Sequence, residues 1–216
     1  ATSAPVGADA PAAPVAPRAV VVAPAEGAYV AGSSAVSVTV AAEATAPLKT
    51  VAISLDGALV QTLEFAQGDA ITQTQRTVSV AVPTEGPHTL VAQATDWNGA
   101  TQTQPFAVSF TLDTAPPAVA IDATALSAAD TWQPRSGMLR FNGTASDSIG
   151  LAAVQVRVDD GEFVDATFGN GLWQTALYVP DPEGRTLAVT VRATDRAGRV
   201  SELSQLIAAA ISAPDA

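Results

Sequence analysis

The sequence of 216 residues has no cysteine, one lysine, one histidine and few aromatics (5%). Absent cysteine excludes disulfides, thiolate zinc sites and cysteine nucleophiles together. No apolar run approaches the roughly 18 residues of a membrane span, and LIAAAI at 206–211 is far shorter. No membrane insertion is expected of this chain, and a leader or anchor, where one exists, lies outside the sequence. The basic residues are few, so the net charge is −11. An acidic chain repels phosphate, which argues against nucleic acid as a partner. The motifs GxSxG, HExxH, GxxxxGK[ST] and GxGxxG after a strand are all missing. Two carboxylates meeting in a cleft remain open from sequence, but the expectation is a protein that is not an enzyme.

What is present is alternation. Val36, Val38 and Val40 alternate with Ser37 and Thr39; Val51, Ile53 and Leu55 alternate with Ala52 and Ser54; Leu90, Ala92 and Ala94 alternate with Val91 and Gln93. Period two marks half-buried strands, and no long helical period competes with it. Two composition breaks divide the chain. Residues 1–18 are Ala/Pro-rich and read as an extended spacer. LDTAPPAVAI at 112–121 holds Pro116 and Pro117 and reads as a short stiff hinge.

The second half repeats the first. Leu48, Val51, Ile53 and Leu55 match Leu151, Val154, Val156 and Val158, while Val36 and Val38 match Leu139 and Phe141. A one-residue slip would turn a strand inside out, so parity kept across several strands signals duplication. The phrase Ala-Thr-Asp-x-x-Gly occurs at Ala94–Gly99 and again at Ala193–Gly198. It reads as a strand end and a turn, with Asp bonding amides two residues on and Gly taking the left-handed corner. Asp56-Gly57, Asp160-Gly161 and Asn170-Gly171 are expected to supply hairpin turns.

The run from Leu151 through Val154, Val156 and Val158 to Asp159-Asp160-Gly161, then Trp173, Gly184, Leu187, Val191 and Ala193-Thr194-Asp195, resembles bacterial Ig-like domains. The first copy matches through Leu48, Asp56-Gly57, Gly86 and Ala94-Thr95-Asp96, and has no counterpart to Trp173. The resemblance covers about residues 19–210 and implies an all-β protein. It would hold two tandem Ig-like β-sandwich domains, 19–113 and 114–216, after the segment 1–18, joined by a short Pro-containing linker. The fold hosts many functions and names no ligand.

Candidate sites are sparse. Trp97 with Asn98, and Trp132, are the candidate binding residues, since an indole at a hairpin tip can stack on a sugar or grip a partner. The alternative is that Trp97 folds back onto its own domain. His88 stands where related modules often carry a Tyr that bonds back to a loop, which makes it structural. No metal or other cofactor is expected. Calcium is admitted only at Asp159, Asp160, Glu162 and Asp165, whose spacing misses the twelve-residue loop, or at Asp113 with Asp122 beside the hinge. Lys49 is the one residue able to cross-link to Asn, and Asn142-Gly143-Thr144 is a glycosylation sequon.

These features predict a non-enzymatic extracellular or cell-surface structural protein: a stalk, an adhesin segment or a self-assembling filament subunit. Its partners would be neighbouring modules or a second copy, with the spacer or AVVVAP at 19–24 adding to a neighbour's sheet edge. The alternative is a carbohydrate- or protein-binding accessory module of a larger secreted enzyme.

Overall fold

The computed structural model describes residues 16–122, 137–182 and 184–209. Contacts divide the chain into two compact units, Ala1–Leu112 and Asp113–Ala216. Among the described residues there is no α-helix, only strands and one 3-10 turn at Gln67–Asp69. Among the described residues no helix is long and apolar enough to cross a membrane.

The first unit opposes two antiparallel sheets. β1 (Arg18–Ala23), β3 (Ala35–Glu43) and β6 (Gln73–Ala81) form one in the order β1-β3-β6. β2 (Ala28–Ala31), β4 (Leu48–Leu55), β5 (Ala58–Glu64), β7 (Gly86–Asp96) and β8 (Ala107–Asp113) form the other, ordered β2-β8-β7-β4-β5. The alternation acts as expected: Val38, Val40, Val51, Ile53, Leu90 and Ala92 are wholly buried. Each large apolar side chain fully buried this way contributes about 1.5–3 kcal/mol relative to exposure.

The second unit is built likewise. Its sheets are β13-β14-β10-β9 and β12-β11-β15-β16. The strands are β9 (Ala118–Ile121), β10 (Met138–Ser146), β11 (Leu151–Val158), β12 (Val164–Asp165), β13 (Thr167–Gly169), β14 (Leu172–Tyr178), β15 (Thr186–Asp195) and β16 (Val200–Ala208). The chain is thus an all-β tandem of Ig-like β-sandwiches. The repeat reaches the hydrogen-bond register. Leu48 pairs with Asp96 and Leu55 with Leu90; Leu151 pairs with Asp195 and Val158 with Val189. Both pairings carry a register shift at the same place, after Leu48 and after Leu151.

Three local expectations need correction. Much of the expected hinge is strand, because β8 runs to Asp113 and β9 starts at Ala118, leaving Thr114–Pro117 between them. AVVVAP at 19–24 is already part of a sheet in its own unit: it forms β1, which pairs with β3, and Ala19 and Val21 belong to that core. Asp160-Gly161 is not a two-residue hairpin. The left-handed residue there is Asp159, whereas Asp56-Gly57 and Asn170-Gly171 do have positive φ at both positions.

The core of the first unit is filled without a tryptophan, and the register shows how. Trp173 lies opposite Gly143, and its indole donates to the Ala120 carbonyl at 3.0 Å. A Cβ on Gly143 would lie 2.8 Å from the indole nitrogen. The matching position in the first unit is Val40, which faces Arg76 and fills the layer with its own side chain.

Candidate functional site

The repeated turn is a main-chain clamp. Asp96 N–H donates to Ala100 O at 3.0 Å while Asp96 Oδ1 accepts from Ala100 N at 2.9 Å. Asp195 does the same with Arg199, at 3.0 and 2.8 Å. The side chain reaches four residues on rather than two, because Gly99 and Gly198 (φ 84° and 86°) bend the loop back onto the strand end. The residue after each Asp donates its N–H to the β4 or β11 side, Trp97 to Pro47 O and Arg196 to Gly150 O.

A second pairing also occurs twice. Asp56 Oδ1 accepts from Thr89 N at 2.8 Å, and Asp56 Oδ2 lies 2.7 Å from His88 Nδ1. The other ring nitrogen, Nε2, sits 2.8 Å from the Thr84 carbonyl. Both partners are acceptors, an arrangement that favours the doubly protonated ring, in which both nitrogens donate. Burial pushes the His88 pKa down, but the Asp56 hydrogen bond, the Thr84 carbonyl and the Asp56 charge together hold it above its ordinary value. The same hydrogen bond from His88 holds Asp56 below its ordinary value. In the second unit Asp159 accepts from Ala188 N and pairs with Arg185, which reaches back to Pro180 O. His88 is therefore structural, bonding back to a loop as the sequence led us to expect.

Of the candidate binding residues, Trp97 is half-buried against its own unit. Its indole donates to Phe65 O at 3.2 Å, and Lys49 Nζ lies 5.3 Å from the ring centroid. Asn98 is exposed at the turn tip. Trp132 lies outside the described residues. The acids expected near Asp159 serve separate contacts: Asp159 braces Arg185, Asp165 accepts from Gln155, and Asp160 and Glu162 are exposed. Asn142 is half-buried on β10, in register with Gln174.

The arrangement that sequence reasoning missed lies within Asp113–Ala216, and its first acid, Asp113, is both the last residue of β8 and the first residue of the second unit. Asp113, Asp147 and Asp195 each bring one carboxylate oxygen within 4.8 Å of the others. Among the described residues this is the one such group able to hold a metal. Asp113 meets these two acids, not Asp122, which is exposed past the end of β9. Each carboxylate is oriented by main chain at Oδ1: Asp113 by Ala115 N, Asp147 by Ile149 N and Gly150 N, Asp195 by Arg199 N. Asp113 and Asp195 are buried, and Asp147 is half-buried. Two like charges about 4 Å apart repel by roughly 4 kcal/mol at an effective dielectric of 20. The one sequence signal for Asp147 was its Asx position before Gly150, which reads as a turn.

No protein-family model and no curated protein matches the chain. Solved structures do. The fibronectin(III)-like modules of Clostridium thermocellum CbhA align at 17% identity and TM-score 0.51, covering 89% of this chain and 94% of theirs. A three-domain Ig segment of titin aligns at 15% identity and TM-score 0.48, covering 90% of this chain and 66% of that one. A 1.5-MDa bacterial ice-binding adhesin aligns at 12% identity and TM-score 0.44, covering 92% and 65%. At 17% identity the first likeness is one of fold: tandem Ig/fibronectin-III-like sandwiches.

Proposed function

We propose that the chain is a non-enzymatic structural segment of a longer extracellular or cell-surface protein, such as a bacterial stalk, adhesin or filament subunit. The observation that carries this reading is the duplication itself. Each unit closes its own apolar core with the same register, the same Asp clamp and the same Asp–cation brace. Buried polar side chains such as Asp96, Gln102 and His88 bond backbone or brace strands. A chain made of repeated self-sufficient modules supplies length and mechanical resistance, and needs no pocket to do so.

Single-molecule stretching of the full chain is the test of the mechanical part. Two separate unfolding events are expected, each releasing roughly 30 nm for some 90 extended residues. One merged event would contradict modular construction. Antibody labelling of intact cells that produce the protein tests its place; labelling only after permeabilisation would remove the surface assignment.

A further inference from the structure

We propose that Asp113, Asp147 and Asp195 bind one divalent cation of the calcium class in the second unit. Three carboxylate oxygens within 4.8 Å of one another form the centre. The independent observation is Asp195 Oδ2. Asp195 is only 1% exposed, its Oδ1 is satisfied by Arg199 N, and Oδ2 is buried without a hydrogen-bond partner. A buried carboxylate oxygen with no donor is costly unless a cation or a donor satisfies it. Two guanidinium groups lie nearby: Arg199 Nη2 sits 3.2 Å from the Asp113 carbonyl, and Arg196 lies over Gly150. Among the described residues, the three carboxylates outnumber these two guanidinium groups.

The ligand set names the ion class. It holds oxygens only, with no histidine or cysteine, which selects hard cations over zinc or copper. Two calcium–oxygen bonds of about 2.3–2.6 Å span the stated separation, whereas magnesium at about 2.0–2.1 Å demands a tighter octahedron. The main-chain bonds at Oδ1 of all three acids hold them in place before an ion arrives. The first unit lacks the set. Ala44 stands four residues before Leu48, where Asp147 stands four before Leu151, so Asp96 has no such companion. The site is therefore a property of the second unit and does not rest on where the protein resides.

Calorimetric titration of the chelator-treated full chain with calcium chloride tests this. One ion per chain is expected, with a dissociation constant of about 10⁻⁴–10⁻³ M, the range of extracellular calcium modules. Asp195→Asn and Asp147→Asn should each abolish the binding heat, and Asp96→Asn should leave it intact. Both asparagines keep an oxygen for the amides that orient the native acids, and circular dichroism checks that each variant folds. If Asp195→Asn fails to fold, the half-buried Asp147→Asn decides. Calcium should also raise one thermal transition of the native chain and none in the two site variants. Absent binding heat, binding that survives both site substitutions, or magnesium binding as tightly as calcium would each overturn the proposal.

Discussion

Asp56 Oδ2 and His88 Nδ1 lie 2.7 Å apart, across the end of the β4–β7 pairing. Their counterparts Asp159 and Arg185 meet at 2.8 Å. One architecture thus uses a titratable cation in the first unit and a permanent one in the second, and the two should respond differently to pH.

The ordinary values are 3.8 for Asp56 and 6.5 for His88. Asp56 is lowered, so its contribution is full above 3.8 and is lost as pH falls through its folded value. His88 is raised, so its contribution is full below 6.5 and is lost as pH rises through its folded value. The brace is strongest between 3.8 and 6.5 and weakens toward alkaline pH. Nuclear magnetic resonance titration of the one imidazole should find a midpoint above 6.5 that drops in Asp56→Asn. An unchanged midpoint in that variant would show that the carboxylate does not hold the proton. The Asp56 side chain is 50% exposed, so the pair is expected to be worth at most about 1 kcal/mol.

Gly143→Ala should destabilise the second unit by about 1–3 kcal/mol, since the new methyl meets the Trp173 indole and the Ala120 carbonyl. Trp173→Ala should cost about 3–5 kcal/mol through the cavity it leaves. Denaturant midpoints measure both. A neutral Gly143→Ala would mean that the β10–β14 layer has slack.

Gln102 acts as a substitute strand. Its side-chain amide accepts from Ala19 N at 2.7 Å and donates to Ala19 O at 3.2 Å, tying β1 to the opposite sheet. Gln102→Ala leaves both backbone groups buried and unmatched there, at about 1–3 kcal/mol. Hydrogen exchange at the Ala19 amide should accelerate in the variant while the β3–β6 amides stay protected.

Self-association through the spacer gives a last expectation. Among the described residues β6 and β16, nine residues each, are edge strands of their sheets. Unpaired edges accept added strands. Removing residues 1–15 spares β1, which begins at Arg18. Sedimentation should then show a monomer at concentrations where the full chain associates. Association persisting in the truncated chain would assign the contact elsewhere.

Much of this was legible in the sequence because β-strands write their faces locally. The Val51–Ile53–Leu55 and Val154–Val156 parities, the Asp56-Gly57 turn and the repeated Asp96 and Asp195 corners each depend on residues next to one another. Trp97 was ambiguous for the opposite reason: whether an indole faces solvent depends on Phe65 and Lys49, which come from another part of the chain.

By itself the sequence determined the all-β class, the duplication and the inward parity, since period two and turn chemistry are short-range properties of the chain. Only the tertiary structure decided that Asp113, from the end of β8, Asp147, from the β10–β11 turn, and Asp195, from the end of β15, converge within 4.8 Å. It also decided that Gly143 yields its volume to Trp173. Strand pairing and sandwich closure bring distant residues together, and no local pattern encodes which of many acids will meet.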